Sequence, residues 1–149
     1  MDLSFTTHSI SNNSSNSVYL DLTLTPATPI IQNENMLPGD TVSALINIAN
    51  TGTVDTYYYL SVNWYANKKS NRVQASRLAN TLEIEVETFD PYLLYSGKLV
   101  NLIDQPIDGR LLTVDTGNED LSFTLKLPVI TGSQLAGIGL LFDFIFVAT

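Results

Sequence analysis

His8 is the only histidine in a chain that has no cysteine. A Ser/His/Asp arrangement for nucleophilic catalysis would have to recruit it from the extreme start of the chain, away from any rigid scaffold. With no second histidine and no thiolate, neither an HExxH helix nor a cysteine zinc site can be built. Glycoside chemistry needs two acids held across a cleft. Here Glu83, Glu85 and Glu87 alternate along one strand face, and Asp115, Glu119 and Asp120 crowd one turn, so both sets are read as solvated. Calcium takes several oxygen ligands. Asp104, Asp108, Asp115, Asn118, Glu119 and Asp120 fall on expected loops, but their spacing matches no EF-hand. Tyr57, Tyr58, Tyr59 and Tyr65 have rings that could stack on sugars. Consecutive strand residues point to opposite faces, however, which gives packing rather than a platform. Asp143 stands between Phe142 and Phe144 and needs a partner, with Arg77, Lys98 or a backbone amide as candidates. The residues therefore predict no enzyme, no cofactor and no metal.

Composition points the same way. At 149 residues the chain is long enough for one domain with a real core. Charged residues make up only 15%, against roughly 25% in an average soluble domain, which suits secreted and fibrous proteins. A net charge of −8 opposes binding to nucleic acid, whose phosphates require a basic footprint. Four of the seven basic residues, Lys68, Lys69, Arg72 and Arg77, share one stretch that reads as a solvated loop or helix face. No segment reaches the roughly 18 apolar residues of a membrane span; residues 138–147 come closest and contain Asp143. Met1-Asp2-Leu3 lacks the basic and apolar regions of a signal peptide. The chain is thus either cytosolic or a mature secreted form carrying an initiator Met.

The elements that would position these residues are almost all strands. Leu3 and Phe5 alternate with Ser4 and Thr6, and residues 11–17 that follow are only Ser and Asn. That pattern predicts a short strand on a flexible linker. Leu20, Leu22 and Leu24 share a face, as do Val42, Ala44, Ile46 and Ile48. Residues 57–65 form a strand with Leu60, Val62 and Trp64 inward. Residues 66–80 have helical character, with Val73, Arg77 and Leu78 at i, i+4, i+5 spacing. Leu82, Ile84 and Val86 oppose Glu83, Glu85 and Glu87. Residues 95–102 read as a strand or a helical turn, 104–109 as loop and 111–114 as a short strand. Leu121, Phe123, Leu125 and Leu127 alternate up to Pro128. The last strand, residues 139–149, is apolar on both faces and so is central or covered. The sum is an all-β, jelly-roll-like sandwich of about eight antiparallel strands with one short helix. It divides into an N-terminal strand and linker, 1–17, and a domain, 18–149.

Pro38-Gly39-Asp40 opens one strand and Asn50-Thr51-Gly52 closes it. The wider segments Asn35-Met36-Leu37-Pro38-Gly39-Asp40-Thr41 and Ile48-Ala49-Asn50-Thr51-Gly52-Thr53 resemble the "NLKPGD … NxGT" signature of the TasA/camelysin family of biofilm-matrix proteins. Leu94-Tyr95-Ser96-Gly97-Lys98-Leu99 resembles its "LYxGxL" element. Phe142-Asp143-Phe144-Ile145-Phe146-Val147-Ala148-Thr149 resembles its closing "F-x-F-x-F-x-A-T" strand. The resemblance implies a secreted jelly-roll subunit of an extracellular fibre, related to archaeal bundling pili. Its N-terminal strand would protrude and complete a neighbouring copy. Leu3, Ser4, Phe5, Thr6, Thr7, His8 and Ile10 would form the donor strand, and Leu140, Phe142, Phe144 and Phe146 the acceptor groove. The expected partners are identical subunits, neighbouring fibres and minor matrix subunits. A monomeric surface- or carbohydrate-binding sandwich is the alternative. Camelysin-type proteolysis finds no visible ligands. Asn12 and Asn13 fit the N-x-S/T glycan acceptor pattern.

Overall fold

The computed structural model describes residues 2–10, 22–25, 31–33, 37–66, 68, 70–115, 117–130, 135 and 138–149. These form β1 (Asp2–Ile10), β2 (Leu22–Thr25), β3 (Ile31–Asn33), β4 (Thr41–Asn50), β5 (Thr56–Ala66), α1 (Arg72–Thr81), β6 (Glu83–Thr88) and β7 (Leu93–Lys98). A 3-10 turn (Leu99–Asn101), β8 (Gln105–Leu112), β9 (Asn118–Lys126) and β10 (Gly139–Ala148) complete the order. Two five-stranded sheets result, β3-β1-β10-β5-β8 and β2-β4-β9-β6-β7. With β1 and β2 set aside, eight strands remain, β3-β10-β5-β8 against β4-β9-β6-β7. That alternation between sheets is the jelly-roll order. The chain is therefore the all-β sandwich with one helix that its periodicity predicts.

Alternation fills the space between the sheets. Ile46 and Ile48 on β4, Ile84 and Val86 on β6, Leu121, Phe123 and Leu125 on β9 and Leu140, Phe142, Phe144 and Phe146 on β10 are all buried. Each such side chain contributes about 1.5–3 kcal/mol through removal from water. Glu83 and Glu85 face solvent on the outer side of β6.

The two turn motifs have separate physical roles. Gly39, at φ 90, allows the chain to turn so that its N–H reaches the Leu127 carbonyl at 2.6 Å, while the Asp40 carboxylate accepts from Leu37 N–H. Asn50 is buried and serves as an internal splice. Its Nδ2 donates to the Val54 and Leu112 carbonyls, both at 2.9 Å, and its Oδ1 accepts from Gly52 N–H. Asn50→Ala strands those groups and is expected to cost about 2 kcal/mol, measured as a lower urea midpoint at unchanged m-value. Gly97 answers to Tyr95: a Cβ there would lie 2.8 Å from the Tyr95 hydroxyl, which donates to the Lys98 carbonyl.

Several expectations are corrected. The helix buries Ala75, Leu78 and Ala79, whereas Val73 and Arg77 are exposed. An Asn71–Gln74 capping box sets its start, later in the chain than the residue 66 that composition suggests. Residues 95–102 hold both a strand and a 3-10 turn. Residues 105–109 are not loop but the first part of β8, an edge strand where Pro106 removes no needed donor. β3 is a strand that periodicity does not predict. The largest correction concerns β1, which does not protrude: it lies inside the first sheet, between β3 and β10 of its own chain. The linker at residues 11–17, with Asn12 and Asn13, lies outside the described residues.

Candidate strand-exchange site

β3 and β10 run in opposite directions, as neighbours in a jelly roll should. A strand placed between them must therefore be parallel to one of them. β1 is parallel to β10, in register from Asp2↔Gly139 to Ile10↔Val147, and antiparallel to β3 from Leu3↔Asn33 to Phe5↔Ile31. Among the described pairings it makes the one parallel ladder. β1 is thus an insertion into a sheet whose other strands already satisfy the jelly-roll order. Leu3, Ser4, Phe5, Thr6, Thr7, His8 and Ile10 all lie on it, beside the strand that carries Leu140, Phe142, Phe144 and Phe146. The structure brings the two expected sets together, within a single chain.

The four β10 residues do not line an open groove with their side chains. They are core: Phe144 packs at a tilt against Phe123 at 4.7 Å and meets Phe142 edge-on at 5.7 Å, while Phe146 approaches Tyr58 at 5.9 Å. What β10 offers β1 is its backbone edge. The opposite face of β10, with Leu141, Asp143, Ile145 and Val147, is half-buried. The Tyr65 hydroxyl donates to Asp143 at 2.6 Å, so a tyrosine takes the role expected of Arg77, Lys98 or an amide. That hydrogen bond, with some burial, pushes the Tyr65 phenol up to about 12. A raised pKa means the contact stabilises the fold below the ordinary tyrosine range and is lost as pH rises through 12. In a phenolate absorbance titration, Asp143→Asn is expected to return one tyrosine from about 12 toward 10.

Sequence reasoning missed a polar cluster at the other side of the sandwich. The buried Tyr58 hydroxyl donates to Glu119 at 2.5 Å. Arg110 grips the same carboxylate through Nε at 3.2 Å and Nη2 at 2.9 Å, and reaches Asp90 at 3.1 Å. Its guanidinium lies 4.8 Å from the Tyr92 ring centroid, and Thr88 donates to Asp90. Burial, then the Glu119 charge, drives the Tyr58 phenol far above its ordinary range. The hydrogen bonds from Thr88 and Arg110 lower the Asp90 carboxyl. The cluster ties β5, β8, β9 and the β6–β7 turn into one end of the sandwich. The signal available was parity, since Tyr58 shares the inward face of Leu60 and its hydroxyl then needs a buried partner.

Among the described residues, no group of three or more His, Cys, Asp or Glu is placed to hold a metal ion. No helix among them is long and apolar enough to cross a membrane. No family model and no curated protein matches the chain. Among solved structures, it is similar to AvmM, which catalyses macrocyclization in alchivemycin A biosynthesis, at 12% identity and a TM-score of 0.38 over 83% of this chain and 74% of that one. It is also similar to the ASH/PapD-like domain 7 of human CEP192, at 15% identity and a TM-score of 0.36 over 95% and 93%. Likenesses this weak carry no functional argument.

Proposed function

We propose that the chain is a structural subunit of an extracellular fibre or pilus of the biofilm-matrix type, without enzymatic activity, that polymerises head to tail. Each copy donates β1 to the slot between β3 and β10 of the next. The observation that carries this reading is the parallel insertion of β1 into an otherwise complete jelly roll. A strand paired along its length with β10 can be replaced by the same strand from another copy, because the replacement restores the same pairings.

Chain length supports the exchange. From Ile10 to Leu22 the chain can extend by at most roughly 40 Å, more than the roughly 33 Å of a ten-residue strand. β1 can therefore leave its own sandwich and reach a neighbour. The exchange makes a heterologous contact, which extends into a filament where its rotation does not close a ring. Electron microscopy of the purified protein, incubated at high concentration, tests the reading. Filaments are expected for the intact chain, and only monomers for Phe5→Asp, which places a charge at the register position of the buried Phe142. Equal filaments from both would refute it.

A further inference from the structure

The two ends of the sandwich carry opposite charge. One end is defined by the row Lys98, Glu83, Lys126 and Thr41 across β7, β6, β9 and β4. Lys68, Arg72 and Arg77 belong to the same end, because α1 joins the last residues of β5 to the first of β6 and Ser70 caps the start of β10. Among the described residues, Asp2, in register with Gly139, and Asp40 and Glu83 are the acids there, and Glu83 stands between two lysines. At the opposite end lie Asp55, Asp90, Asp115, Glu119 and Asp120. Among the described residues, the base at that end is Arg110, already engaged by Glu119 and Asp90. Each end also carries exposed apolar side chains: Leu37, Val129 and Ile130 on the basic end, and Phe89, Tyr92 and Val114 on the acidic one.

From this we infer that the acidic end of one copy docks on the basic end of the next, and that this contact orients the strand exchange. The inference rests on the fibre reading above and adds its interface. A second copy is the partner that fits, since a like chain presents both surfaces, opposite in charge and each with exposed apolar side chains. Placement agrees. β1 finishes and β2 begins at the acidic end, with Ile10 opposite Val147 and Leu22 opposite Asn50, so a donated strand leaves from the end that meets the neighbour. The chain as a whole carries −8, so copies repel except in this orientation.

The test uses two surface variants of the full chain, Arg72→Glu/Arg77→Glu at the basic end and Asp115→Lys/Asp120→Lys at the acidic end. Each alone is expected to elongate filaments at least about tenfold more slowly than wild type, and an equimolar mixture to recover most of the rate, because each variant's altered end then meets its complement. Wild-type elongation should also slow as salt rises from about 0.05 to about 1 M, where the screening length shrinks to about 3 Å; this arm needs no substitution. Wild-type rates from both variants, or a mixture as slow as its components, would overturn the docking inference while leaving strand exchange intact. Absence of wild-type filaments would overturn both.

Discussion

Deletion of residues 2–10 is expected to abolish filament growth and to loosen the sandwich at the same time. In the monomer β1 is not a spare appendage. Along Gly139–Val147 it covers a strand whose other edge is already taken by β5. Without it, β10 becomes an open edge, apolar on both faces, which is a hazard as well as a loss of pairing. The truncated chain should therefore melt lower and expose the slot. A synthetic peptide of residues 2–10 then becomes a measurable ligand. If it binds only the folded state, a concentration of about 100 times its Kd raises stability by about 2.7 kcal/mol. Calorimetry with and without peptide reads this directly. A truncated chain that melts like the parent, ignores the peptide and still grows filaments would contradict the assignment of β1 as the exchangeable strand.

Arg110→Ala is expected to be the most damaging single change outside the apolar core, at about 3 kcal/mol. Arg110 and Glu119 are each about one-fifth exposed, so their pairing is only partly screened. Removing the guanidinium leaves Glu119 beside the buried Tyr58 hydroxyl without its counter-charge. It also releases Asp90 and with it the β6–β7 turn. Arg110→Ala with Glu119→Gln should recover part of the loss, since no uncompensated charge then remains. Acid acts on the same cluster. The Asp90 carboxyl lies below its ordinary range, so its contribution is present above that range and is lost as pH falls through the lowered value. Chemical denaturation of the wild type and both variants, at neutral pH and in acid below the ordinary carboxylate range, checks the order.

Much of this fold is legible from alternation alone. Leu82, Ile84 and Val86 against three glutamates, and Leu121, Phe123 and Leu125 against Ser122 and Thr124, state which face is wet without ambiguity. β10, apolar on both faces, states equally clearly that it is central. Features that depend on long-range partners are hidden. The three residues of β3 are too few to show a period, and β8 is obscured by Pro106 and by Gly109, whose positive φ places it against Tyr57 and Tyr59. Arg110, between the expected loop 104–109 and the expected strand 111–114, shows no partner in the sequence until β5, β8 and β9 are brought together. The polar cluster is unreadable for that reason. For β1, the alternation of residues 3–6 ahead of a Ser/Asn run states a strand; whether it pairs within its own chain or, on the proposed exchange, with another is set by competition between identical slots. Local sequence does not encode that balance.

Disulfide trapping between copies tests strand exchange most directly. The chain has no native cysteine. Thr6 is the midpoint of the register of β1 on β10 and pairs with Asp143, so it stays opposite Asp143 whichever way a donated strand runs in a filled slot. Thr6→Cys and Asp143→Cys are made as separate proteins, so that no single chain carries both cysteines, and are mixed, assembled and oxidised. The account predicts covalent heterodimers on non-reducing gels from the mixture, formed in step with filaments and lost on reduction. Filaments that grow from the mixture without any disulfide-linked heterodimer would show that β1 never leaves its own sandwich.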